Sequence, residues 1–116
     1  MKEYQIQIKL INYLKSKKLS KLRFFHIPNQ GVRSIKYKML LAKMGMKSGC
    51  PDLILEFKGG KIVYIELKTL KGSLSKSQKL WQNVSNALKT PHYILKGEIN
   101  DLFIQLNNII TKHYEA

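Results

Sequence analysis

Apolar positions recur along this chain at two periods, and the alternation between them outlines its elements. From Glu3 to Lys18, Ile6, Leu10, Tyr13 and Leu14 share one helical face, with Ile11 beside them. A short apolar run from Arg23 to Ile27 reads as a strand, and Pro28-Asn29-Gln30-Gly31 as a turn. Ser34 is placed to cap a second helix reaching about Met44, with Ile35, Met39 and Leu40 expected inward. Gly45 and Gly49 interrupt the chain before an apolar strand, Leu53 to Phe57. Lys58-Gly59-Gly60-Lys61 then reads as a hairpin turn into a partner strand, Ile62 to Lys68. Ser75 is a good N-cap for a third helix, with Leu80, Trp81, Val84 and Leu88 expected on its inner side. Pro91 opens a short strand through Leu95. A last helix, Glu98 to His113, turns Leu102, Phe103, Leu106, Ile109 and Ile110 inward. The order α-β-α-β-β-α-β-α predicts an α/β fold, a mixed β-sheet flanked by helices.

The hairpin register decides which side chains meet. A two-residue turn at Gly59-Gly60 would pair Lys58 with Lys61 and set Asp52 opposite Leu67, sending Glu66 to the other face. Asp52 and Glu66 converge only if the loop shifts by one residue or if Asp52 lies just outside regular pairing. Pro51, which has no N–H for a ladder, makes an irregular entry plausible.

That convergence matters because of what these residues are. Pro51-Asp52 and, after thirteen intervening residues, Glu66-Leu67-Lys68 form a P-D-x13-E-x-K pattern. Glu and Lys two apart on a strand project from the same side. Two carboxylates with the backbone carbonyl between Glu66 and Lys68 suit a hard cation such as Mg²⁺, which takes oxygen ligands and keeps several waters. A lysine beside it can hold a water or offset negative charge developing at phosphorus. The bland alternative is a turn aspartate and a solvent-facing Glu–Lys pair. The apolar neighbours Val63, Ile65 and Leu67 argue instead for an internal strand, where a polar pair needs a partner.

Charge narrows the partner. There are 21 Lys+Arg against 7 Asp+Glu, a formal net charge of +14 in 116 residues, which suits a polyanion such as DNA. No apolar run approaches the roughly 20 residues that span a bilayer, so no membrane role is expected. Only Arg23 and Arg33 are arginines, which favours point-charge phosphate contacts over base reading. Arg33, Lys36 and Lys38 around Tyr37, together with Lys47 and Lys71, are the candidate DNA contacts. The lone Cys50 excludes an intramolecular disulfide and a cysteine-rich zinc site, and a cytoplasmic protein is expected. His26 reads most simply as a packed strand-end histidine. Glu56 reads as a surface residue near the hairpin.

Gly49-Cys50-Pro51-Asp52-Leu53, Ile65-Glu66-Leu67-Lys68-Thr69 and Gly72-Ser73-Leu74-Ser75-Lys76-Ser77-Gln78 together resemble the virus-type replication-repair nuclease (VRR-NUC) domain of the PD-(D/E)xK superfamily. His26-Ile27-Pro28-Asn29-Gln30-Gly31 and Met44-Gly45 resemble its small phage-encoded members, so that the cytoplasm would be a host's if the chain is phage-encoded. The resemblance implies that residues 1–116 form a single restriction-endonuclease-like domain. It implies that Asp52, Glu66 and the Leu67 carbonyl hold Mg²⁺ or Mn²⁺, that Lys68 is the catalytic lysine, and that Gln78 lies near the active site. It also places Glu3 where a first-helix glutamate reaches the metal through water. Small stand-alone members resemble homodimeric nucleases acting on branched DNA, including four-way (Holliday) junctions, and Tyr13, Trp81 and Phe103 are candidates for a dimer interface here. Two other functions remain open on the sequence: a non-enzymatic DNA-binding protein on a nuclease-like scaffold, and a sequence-specific restriction-type nuclease.

Overall fold

A computed structural model describes residues 1–28 and 34–115. The chain forms α1 (Glu3–Ser16), β1 (Leu22–Phe25), α2 (Ile35–Lys43), β2 (Leu53–Phe57), β3 (Lys61–Lys68), α3 (Lys76–Ala87), β4 (His92–Lys96) and α4 (Ile99–His113). This is the expected element order, with ends shifted by a residue or two. Arg33 and part of the Pro28–Gly31 turn lie outside the described residues.

The four strands form one sheet in the order β1-β2-β3-β4. β1, β2 and β3 run antiparallel, while β4 lies parallel to β3 because α3 carries the chain back between them. Leu53, Leu55 and Phe57 of β2 and Val63, Ile65 and Leu67 of β3 alternate onto one face. There they pack with Ile6, Leu10 and Leu14 of α1 and Leu102, Leu106, Ile109 and Ile110 of α4 into the core. Tyr13 and Phe103 stack on each other between α1 and α4, ring centroids 4.9 Å apart. α3 lies against the opposite face, where Trp81 meets Tyr64 edge-on at 5.7 Å.

The hairpin takes the shifted register. Phe57 pairs with Lys61 and Leu53 with Ile65, so three residues, Lys58, Gly59 and Gly60, make the connection. Gly59 and Gly60 adopt φ of +82° and +74°, a left-handed conformation that glycine enters without strain. Continuing that register by one step sets Asp52 opposite Glu66, as the chemistry requires.

Two inward faces expected from periodicity are not inward. On α2, Ile35, Met39 and Leu40 are 78%, 58% and 52% exposed, and no residue of this helix is buried. Ser34 caps it as expected, accepting from the Tyr37 N–H at 3.1 Å. On α3, Leu80, Val84 and Leu88 are also exposed. Its sheet-facing side carries Trp81 and the buried Ser85, whose hydroxyl donates back to the Trp81 carbonyl at 2.8 Å. Periodicity identifies an apolar stripe, but what covers the stripe depends on tertiary packing. Here both stripes are left open by the single chain.

Candidate active site

Residues from β3, from the entry to β2 and from α3 meet at one end of the sheet. Asp52 sits just before β2 with its carboxylate turned toward β3, where Oδ2 accepts from the Leu67 N–H at 2.7 Å. Glu66 projects from β3 and is 2% exposed; Asp52 is 6% exposed. Glu66 Oε1 accepts from Gln78 Nε2 at 2.6 Å and stands 3.9 Å from Lys68 Nζ. Lys68 follows Glu66 on the same side of the strand and is itself nearly buried.

Gln78 is held in place by the start of α3. The Ser75 hydroxyl accepts from the Gln78 N–H, and Gln78 Oε1 accepts from the Ser75 N–H at 2.8 Å, a reciprocal capping box. The side-chain amide thus caps its helix with the oxygen and reaches Glu66 with the nitrogen. The helix start is docked by a close backbone approach. Gly49, at φ +80°, lies so near Ser77 that a Cβ there would fall 2.3 Å from its carbonyl oxygen.

The electrostatics are unfavourable as they stand. Burial pushes the Glu66 carboxyl up to about 8, the neighbouring Asp52 and Glu3 add to the rise, and Lys68 opposes it. Asp52 is raised as well, mainly by burial, against the Leu67 hydrogen bond and Lys68. Glu66 Oε2 is buried and receives no donor among the described residues. The Asp52 carboxyl is close enough to interact with it directly, but two carboxylates cannot bond unless one holds a proton. An orphaned carboxylate oxygen beside a second buried carboxylate fits a hard divalent cation, which supplies the missing positive charge. Among the described residues no three His, Cys, Asp or Glu side chains converge on one point. The protein's share is therefore two carboxylates, and water and main-chain oxygen would complete the shell.

Glu3 stands at the edge of this group: its carboxyl is raised by partial burial and then by Asp52, and lowered by Lys68. Lys36 and Lys38 on α2, Lys47 after it and Lys71 after β3 are all exposed, whereas Arg33 lies outside the described residues. Glu56 is half-buried and pairs with Arg23 across β1 and β2. His26 is not the packed residue that its strand-end position suggested. It is exposed, and its Nδ1–H donates to the Asp52 carbonyl at 2.7 Å. No spacing rule would have found that bond, since it joins residues 26 apart in the chain.

A mixed sheet with helices on both faces, carrying a P-D…E-x-K carboxylate pair at its end, defines a restriction-endonuclease-like nuclease fold. The family model for the VRR-NUC domain matches residues 1–97, and the chain belongs to that family. A solved structure described as a VRR_NUC domain protein superposes with a TM-score of 0.75 over 99% of this chain and 93% of that one, at 19% identity. At that identity the superposition speaks for the fold. No curated protein matches. Membership brings a nuclease-type function with DNA as partner, in a family whose nucleases are generally metal-dependent. Among the described residues no helix is long and apolar enough to cross a membrane.

Proposed function

We propose that residues 1–116 act as one VRR-NUC nuclease domain, a divalent-metal-dependent endodeoxyribonuclease that hydrolyses phosphodiester bonds in branched or structured DNA in the cytoplasm. The supporting observation is the buried Asp52–Glu66 pair with its unsatisfied Glu66 Oε2. A protein that only bound DNA would gain nothing from two buried carboxylates facing phosphate, which disfavours the non-enzymatic reading. The small number of arginines disfavours the sequence-specific one.

Asp52 and Glu66, with the Leu67 carbonyl, would hold Mg²⁺ or Mn²⁺, and Glu3 would reach it through water. When bound, the cation supplies charge neutralisation and Lewis acidity at the scissile phosphate. Lys68 orients the attacking water and offsets the negative charge that develops on the phosphoryl oxygens. Gln78 holds Glu66 Oε1, the oxygen that also stands 3.9 Å from Lys68 Nζ, and would leave Oε2 for the cation. Lys36, Lys38, Lys47, Lys71 and Arg33 would hold flanking phosphates. Labelled linear duplex, flap and four-way junction, incubated with Mg²⁺, Mn²⁺ or EDTA, test the reading. Metal-dependent cleavage of the branched substrates supports it, and no cleavage of any of them with either metal overturns it.

A homodimer completes the proposal. The rings first considered for the interface are engaged within the chain, Tyr13 on Phe103 and Trp81 on Tyr64. The open faces are instead Ile35, Met39, Leu40 and Met44 on and just after α2, with Leu80, Val84 and Leu88 on and just after α3. Exposed apolar stripes of this kind are what a partner surface covers.

A further inference from the structure

A cleft of about 390 Å³ runs along the outer side of α1 and ends at Asp52. Tyr4, Ile8 and Ile11 form its apolar wall, and Asn12 and Lys15 lie further along the helix. Tyr4 and Ile8, one helical turn apart, are 59% and 55% exposed. The cleft thus carries an aromatic and an aliphatic side chain in adjacent turns, open to solvent and leading to Asp52.

We propose that this cleft binds the base and sugar of one unpaired nucleotide of the cleaved strand, next to the scissile phosphate. The inference rests on the nuclease reading and adds a substrate-positioning subsite to it. Charge sets the polarity of the occupant. Glu3, His26 and Asp52 stand at one end, where the scissile phosphate would sit only with a cation bound, and Lys15 stands at the other, about 18 Å along the helix from Glu3, where a flanking phosphate is attracted. An uncharged base between them matches the apolar wall, and Tyr4 offers the ring face on which any base stacks. Asn12 and Gln7, which also line the cleft, provide amide groups for base edges. The volume lies at the small end of ligand sites and is enough for one nucleotide. A stacked duplex would have to release that nucleotide, whereas a branch point, flap or gap presents one already unpaired.

Binding in EDTA, followed by fluorescence anisotropy, tests this with a short oligothymidylate, the same strand carrying abasic residues, and a duplex. Tyr4→Ala and Ile8→Ala should each weaken single-strand binding by about fivefold or more while changing duplex binding by less than about twofold. Tyr4→Phe should bind as wild type, and the abasic strand should bind wild type and Tyr4→Ala alike. The salt slope should not change, because the lost part is stacking rather than phosphate contact. Equal loss on single strand and duplex, or no loss on either, overturns the proposal. Cleavage by wild type and Glu66→Gln, run in parallel, separates the two readings. Cleavage by wild type with unaltered single-strand binding by Tyr4→Ala removes only the subsite. Selective loss of single-strand binding without cleavage under any metal removes only the nuclease.

Discussion

At Glu66, burial and charge are in direct conflict, and the conflict has a sign that can be measured. Its carboxyl is raised to about 8 in the fold, from an ordinary value near 4.5, with Asp52 and Glu3 reinforcing burial and Lys68 opposing it. Between those values the metal-free fold holds a proton that the unfolded chain releases, so stability falls as pH rises, by at most about 1.4 kcal/mol per pH unit. Thermal unfolding without metal should therefore show Tm dropping from pH 5 toward pH 8, as that window sets. Glu66→Gln should flatten the drop, and Mg²⁺ or Mn²⁺ should raise Tm more at pH 8 than at pH 5. A metal-free Tm that climbs through this range would show that Glu66 is ionised without a partner. In catalysis, Asp52→Asn, Glu66→Gln and Lys68→Ala should each reduce cleavage by about a hundredfold or more without unfolding the chain. Gln78→Ala should be milder, about tenfold to a hundredfold, because it orients a ligand rather than being one. Full activity in any of the first three, with protein free of wild-type contamination, would refute the site assignment.

At the scale of elements, the core helices and the central hairpin were legible because their apolar periods coincide with the faces that the chain itself buries. Leu53 to Phe57 and the stripe of α4 are such cases. The register was not legible, since Gly59-Gly60 admits a two-residue or a three-residue connection and only the paired strands decide between them. The stripes of α2 and α3 were legible as stripes and misassigned as inward, because a period cannot say which molecule covers it. Under α3, Trp81 Nε1 and His92 Nδ1 are buried without hydrogen-bond partners among the described residues. Of the site, Asp52, Glu66 and Lys68 could be read from spacing and residue type. The family resemblance alone placed Gln78 near the site, without its bond to Glu66, and nothing in the sequence pointed to the His26–Asp52 bond. One element-level prediction follows from Gly49. Gly49→Ala would force a methyl against the Ser77 carbonyl at a left-handed φ, pushing the start of α3 and Gln78 away from Glu66. Tm should fall, and cleavage should fall further than the single variant Gln78→Ala. Wild-type Tm and activity would show that the approach is not tight.

For the whole molecule, the proposed preference for a branch requires more than attraction to DNA. A net charge of +14 ensures attraction to any DNA, so affinity alone cannot discriminate. With Z phosphates neutralised, log K should fall against log salt with a slope of about −0.9Z on duplex, and several contacts per subunit are expected. Discrimination needs geometry. Two copies joined through the open faces of α2 and α3 would fix two cationic sites at one separation and angle, and it is that fixed separation and angle, rather than the twofold axis itself, that would suit a four-way junction better than a straight duplex. Self-association must overcome like charge, so DNA or moderate salt should strengthen it. The expected outcome is a dimer by light scattering at tens of micromolar in moderate salt, and cleavage of four-way junctions in preference to linear duplex. Leu80→Glu with Leu88→Glu, both exposed and so tolerated by the monomer fold, should give monomers. These should keep metal-dependent nicking but lose the junction preference. A wild-type monomer that cuts linear and four-way DNA equally would remove the dimer and the junction together. A dimer untouched by the α3 substitutions would move the interface elsewhere and leave the catalytic assignment standing.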